Sequence, residues 1–209
     1  MKKIYLILIA FPLLFQACSK DDPTPEVDQE EVSGLTFTFT EVEGEAHGDH
    51  YDYSEITNPK IESISFSGTD LLPPVGAHVH LEVGKSYRFN VKMLDFAGRE
   101  TQQTFVDRDD IHYAFILGTP VESLHVQYDD VKTDGTKTNV GAKGYFTILK
   151  ETNTFTLNYI MRHLNPGVKA SINTKTDWSN ADYQKFTGAN DIDIKFELHF
   201  VEGHDHDDH

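Results

Sequence analysis

The sequence has little that would hold a fold covalently. Its 209 residues contain one cysteine, Cys18, so no internal disulfide forms and the core must be held by packing. Tryptophan is also single, and the Cys…Trp…Cys spacing of true immunoglobulin domains is missing. Basic residues are scarce: 18 Lys and Arg stand against 34 Asp and Glu, a formal net charge of −16. A surface of that sign repels phosphate backbones, so no nucleic acid is expected as a partner and cations are favoured. No apolar run is long enough for a membrane-spanning helix. The G-x-S-x-G elbow, the H-E-x-x-H helix and a glycine-rich phosphate loop are absent, so the sequence points away from an enzyme.

The N-terminus carries a definite pattern. Lys2 and Lys3 precede a short apolar stretch, and the small residue Ala17 stands before Cys18. This is the arrangement of an export signal. A lone cysteine at its end has a specific use: the thiol takes a diacylglyceryl group, the chain is cut before it, and acyl chains such as palmitate hold the protein on a membrane. Residues 1–17 are therefore expected to be a lipoprotein signal peptide and Cys18 the lipidated residue. Cleavage would remove Lys2 and Lys3 and no acids, taking the formal charge from −16 to −18. Residues 18–33, with Pro23, Pro25 and six acids from Asp21 to Glu31, have almost nothing to bury and read as an acidic flexible tether.

The body, residues 34–201, alternates. In 35–40, Leu35, Phe37 and Phe39 are interleaved with threonines, the period of a half-buried strand. Tyr87, Phe89, Val91 and Met93 share one face of another strand, with Arg88, Asn90 and Lys92 on the other. Near the end, Ile192, Ile194, Phe196, Leu198 and Phe200 form an apolar face, and Asp191, Asp193, Lys195, Glu197 and His199 line the opposite one. Further short strands are expected around 61–66, 78–83, 112–117, 124–128, 145–149 and 155–161. The acidic, glycine-containing stretch 41–52 reads as a loop, and 99–110 and 162–189 as mixed segments with room for a short helix. Eight or nine short strands without βαβ alternation describe an all-β protein, with an immunoglobulin-like β-sandwich as the expected architecture.

Histidine is the chemically notable residue, with 11 in the chain. His47 and His50 sit among Glu43, Glu45, Asp49 and Asp52, a mixture of imidazole and carboxylate that suits zinc or another first-row divalent metal. His78 and His80 are two apart on an expected strand with Glu82 next on that face. A returning strand would bring the two pairs together. His112 and His125, each alone on a strand, read as hydrogen-bonded structural residues. His204, His206 and His209 alternate with aspartates in a His/Asp-rich tail, residues 202–209, that would recruit metal weakly. Asp129, Asp130 and Asp134 with Gly135 read as an acidic turn, since the EF-hand spacing is not met.

Several segments together carry a resemblance. Phe15-Gln16-Ala17-Cys18 resembles a relaxed Bacteroidetes lipobox, and Ser19-Lys20-Asp21-Asp22 resembles the signal that sends such lipoproteins to the outer face of the outer membrane. In the body the segments are Leu35-Thr36-Phe37-Thr38-Phe39, Leu81-x-x-Gly84-Lys85-x-Tyr87 and Asp109-Asp110-Ile111-His112-Tyr113-Ala114-Phe115. Tyr128-x-Asp130, Gly141, His163-x-x-Pro166-x-x-Lys169 and Asp191-Ile192-Asp193-Ile194 complete the set. It is similar to a family of small Bacteroidetes outer-membrane lipoproteins associated with TonB-dependent receptors and often labelled "type 1 periplasmic binding fold". The resemblance implies an outer-membrane, outward-facing location and a receptor partner. The family's usual glutamate before the mid-chain histidine is replaced here by Asp109 and Asp110, and the first loop is richer in histidine.

The resulting expectation is a surface lipoprotein that binds a divalent transition metal, zinc first, for capture or handover to an outer-membrane receptor. The ligands expected are His47, His50, His78, His80 and Glu82, with His204, His206 and His209 as recruiters. The rival expectation is a glycan- or protein-binding adhesion module using Tyr51, Tyr53 and Trp178, with haem ligation by histidine or Met161 as a variant.

Overall fold

The threonine-interleaved stretch becomes the middle of β1 (Val32–His47), the longest strand, in a computed structural model that describes residues 31–48 and 50–203. Leu35, Phe37 and Phe39 are buried, while Thr36 and Thr38 between them lie half-buried on the opposite face. One edge of β1 pairs antiparallel with β5 (Ser86–Asp95) along most of its length. The other edge pairs first with β3 (Ile61–Ser67) and then, further along, with β2 (His50–Glu55). Beyond β5 come β10 (Lys143–Ile148) and β7 (Leu124–Tyr128), completing a six-stranded antiparallel sheet.

A second sheet of four strands runs in the order β4 (His78–Glu82), β12 (Gly188–Val201), β11 (Phe155–Leu164), β6 (His112–Leu117). Its pairs are antiparallel except β4 on β12, which is parallel. The two-residue strands β8 (Asp130–Val131) and β9 (Lys137–Thr138) make a small third sheet. One short helix, α1 (Gln102–Asp107), and three 3-10 turns at Val168–Ser171, Asp177–Ser179 and Tyr183–Lys185 fill the segments expected to be mixed. The two large sheets face each other across an aromatic core. Phe37 meets Tyr159 edge-on at 5.4 Å and Phe196 at 5.6 Å, ring centre to ring centre.

The described residues of the acidic stretch 41–52 are strand on either side of a turn at Gly48, not a loop. Glu43, Glu45 and Asp52 point to solvent while Gly44, Tyr51 and Tyr53 point inward, so the alternation is present but its inner positions are a glycine and tyrosines. The β1–β2 hairpin folds over the outer face of its own sheet. Tyr53 stacks on Tyr145 of β10 at 3.9 Å with the rings 7° apart, and its hydroxyl lies 3.1 Å from that of Thr147. Burial under the hairpin pushes the Tyr53 hydroxyl up to about 12. The Gln127 amide of β7 accepts from the Tyr51 N–H at 3.5 Å and donates to the Tyr51 carbonyl at 3.3 Å. The crossing is so close at Gly44 that a Cβ there would sit 2.3 Å from Ser86 Oγ. A mostly-β fold with several sheets, one partly curled into a half-barrel, thus stands where a single immunoglobulin-like sandwich of eight or nine strands was expected.

Candidate metal centre

His112 opens β6 and His163 lies near the end of β11, directly opposite it in the antiparallel ladder. Alternation puts His112 on the same face as Ala114 and Ile116, and His163 on the face of Met161 and Tyr159, all of which turn into the core. The two rings are 4.9 Å apart and nearly perpendicular, with Phe105 of α1 against His112 at 5.0 Å.

The third member comes from β12, and alternation alone places it on the wrong side. Ile192 is a core residue, so Asp191 should face outward. The ladder slips there: Ile192 pairs with Met161 and Asn190 with Arg162, leaving Asp191 as the extra residue of a β-bulge. The bulge turns Asp191 to the histidine side. Its Oδ2 lies 3.4 Å from His112 Nε2 and 3.5 Å from His163 Nδ1. Ligand atoms of all three residues fall within 4.8 Å of one another.

The surroundings fix each member. His112 Nδ1 donates to the Arg108 carbonyl at 3.1 Å, which holds the ring with Nε2 facing Asp191. Lys169 Nζ donates to the carbonyls of His112 and Asn139, both at 2.8 Å. Burial lowers the Lys169 pKa to about 8, against the pull of Asp109, Asp130 and Asp110. Arg162 holds the bulge from the opposite face, donating to Phe186 O at 2.7 Å, Asn190 Oδ1 at 2.7 Å and Gly188 O at 3.0 Å. Gly188 passes so near β11 that a Cβ would lie 2.0 Å from the His163 carbonyl. Asp130 braces the neighbouring turn by accepting the amides of Val140, Gly141 and Lys143 at 2.7–2.8 Å. Burial raises its pKa, and those amides oppose the rise.

Two imidazoles and one carboxylate could hold a divalent metal ion. Asp191 Oδ2 is shielded from solvent and accepts no hydrogen bond, an arrangement that a cation between the three groups would satisfy. The His112 side chain is fully buried, Asp191 is 17% exposed and His163 35% exposed, so solvent reaches the centre from the His163 side. Three protein ligands leave a coordination position for water or an incoming donor.

The residues singled out from the sequence lie elsewhere. His47 and His50 face each other at 6.1 Å at the tip of the β1–β2 hairpin, with His47 Nε2 3.7 Å from Glu45 and 3.6 Å from Asp52. His78 and His80 are exposed on β4, in the other large sheet, and Glu82 is bound to Lys60 at 3.3 Å. The returning strand β3 pairs with the part of β1 before the hairpin, and β4 then leaves for the second sheet, so the two pairs do not converge. Desolvation, then His78 and His199, lowers the His80 pKa. Among the described residues, only His112, His163 and Asp191 bring three ligand atoms within 4.8 Å. Cys18, Asp49, His204, His206 and His209 lie outside the described residues. Tyr51, Tyr53 and Trp178, expected as exposed contact residues, are half-buried, and Met161 is fully buried in the core. His112, expected as a structural histidine, is a member of the centre. His163 and Asp191 were not singled out as ligands, although the His163-x-x-Pro166-x-x-Lys169 and Asp191-Ile192-Asp193-Ile194 segments contain them. Compared with protein-family models, curated proteins and solved structures, the chain gives no match.

Proposed function

We propose that the protein captures a divalent transition metal, zinc first, at His112, His163 and Asp191, and hands it to an outer-membrane receptor without making or breaking a covalent bond. The observation that carries this reading is the β-bulge that turns a carboxylate out of its expected face and onto two imidazoles. The partly exposed His163 side gives a route for ligand exchange, and the acidic composition raises the local cation concentration. Location rests on Cys18 as a lipid anchor in the outer membrane, with a TonB-dependent receptor as the partner that the resemblance implies.

Calorimetric titration of the mature chain with zinc tests the site. His163→Asn and Asp191→Asn should each remove the tightest binding event; tight binding unchanged in both variants would overturn the assignment. Cys18→Ser should abolish labelled palmitate incorporation in cells, and label retained on that variant would remove the anchor from the proposal.

A further inference from the structure

A separate set of imidazoles stands at the other end of β12. Strand β4 runs parallel to it with His80 opposite His199 and His78 opposite Glu197. Val79, Leu81, Leu198 and Phe200 fill the core, so the alternate residues His78, His80, Glu197 and His199 share the outer face. The rings of His78 and His80 are 4.7 Å apart, and those of His80 and His199 5.4 Å apart. Two histidines two apart on one strand, with a third directly across the ladder, gather three imidazoles on one face, although their ligand atoms do not lie within the 4.8 Å of one another that the buried centre shows. His78 Nδ1 donates to the Gly76 carbonyl at 3.1 Å, so Nε2 is the ring nitrogen that could serve an ion.

We infer a second, exposed transition-metal site in which His78, His80 and His199 supply three imidazole nitrogens to one ion and water fills the remaining positions. It shares no residue with the buried centre and does not depend on it. The rings must turn toward one another to close on the ion, and that ordering costs side-chain entropy, so this site is the weaker of the two. Glu197 beside His78, and Glu62 and Glu82 flanking Lys60, keep the local field attractive to cations. A purely imidazole donor set suits zinc, nickel or copper(II) and is a poor match for magnesium or calcium. The site would load quickly from solution and release quickly.

The test uses the mature chain with His204→Asn, His206→Asn and His209→Asn, so that the tail contributes no imidazole. Zinc bound per chain is measured by equilibrium dialysis and elemental analysis across a range of free zinc. The same measurement is made after adding His199→Asn, and separately after adding His163→Asn. His199 is on the outer face, and an unchanged zinc-free melting temperature will show that its replacement leaves the fold intact. The expected result is one bound zinc fewer with His199→Asn and retention of the tighter event. His163→Asn should do the reverse, losing the tighter event and keeping the weaker. A binding curve unchanged by His199→Asn overturns the second site. Loss of only the weaker event with His199→Asn, but no effect of His163→Asn, supports the second site and sinks the buried one.

Discussion

Zinc should raise the melting temperature of the mature chain by several degrees, and His163→Asn should abolish most of that rise. The candidate ligands come from three strands, β6, β11 and β12, so the unfolded chain does not hold the triad and zinc at this centre would bind essentially the folded state alone. At free zinc one hundred times the dissociation constant, linkage gives about 2.7 kcal/mol. For a chain of this length each kcal/mol moves the midpoint by about 2–4 °C, which predicts a rise of roughly 5–11 °C. His163 is the least buried ligand, 35% exposed, so its replacement by asparagine should change zinc-free stability by only about 1 kcal/mol. Scanning calorimetry with zinc, with magnesium and with a chelator measures both terms. His199→Asn should keep the greater part of the rise, since the exposed site is weaker. An equal rise in wild type and His163→Asn would refute the buried centre as the seat of the stabilisation.

Other consequences are as direct. Gly44→Ala places a methyl 2.3 Å from Ser86 Oγ and 3.3 Å from the Tyr53 ring, so the Ser86 hydroxyl must turn from Thr147 and the hairpin loosen over the sheet. The cost should be about 1–3 kcal/mol in chemical denaturation, with loss of near-ultraviolet tyrosine signal as Tyr53 leaves Tyr145; an unchanged midpoint would contradict the crossing argument. Arg162→Met removes the donors held by Phe186, Gly188 and Asn190, and should lower stability by about 3 kcal/mol and zinc affinity by on the order of tenfold or more. Native affinity in a folded Arg162→Met protein would show that the bulge holds itself. Lys169 has a folded pKa lowered from 10.5 to about 8, so between those values the unfolded chain binds the extra proton and stability from this group rises with pH. The stability of wild type relative to Lys169→Met should therefore increase by on the order of 2 kcal/mol from pH 8 to 10.5 and be flat below 8. Parallel urea midpoints for the two proteins across that range would refute the assigned shift.

The strands with a clean apolar alternation were legible in the sequence because each has one face in the core. β5 and most of β12 follow the expected faces residue by residue. The hairpin was hidden because its inward positions are Gly44, Tyr51 and Tyr53 among acids, which read as turn and solvent chemistry. The candidate metal centre was hidden for a different reason. Its ligands share no local spacing, and the ladder that unites His112 with His163 is a tertiary fact. Asp191 was placed on the polar face with Asp193 and Lys195, as strict alternation requires, and the single slip between Met161 and Arg162 reverses that assignment. The histidine pairs that do have local spacing lie on exposed strands, where proximity in sequence gives proximity in space without burial.

The curled hairpin also governs how the protein meets other copies of itself. An open sheet ends in strands whose unpaired amides and carbonyls are templates for aggregation. Here one of the two strands that end the six-stranded sheet on the β1 side, β2, carries Asp52 and Glu55 and is rolled inward over β10, while Gln127 ties the backbone of Tyr51 to β7 at the opposite side. Partial closure thus brings the two margins of the sheet toward each other and gives the outer one negative charge. Along β2 a neighbouring chain finds neither a flat margin to extend nor a neutral one to approach, and Gly44 is the glycine that permits the crossing.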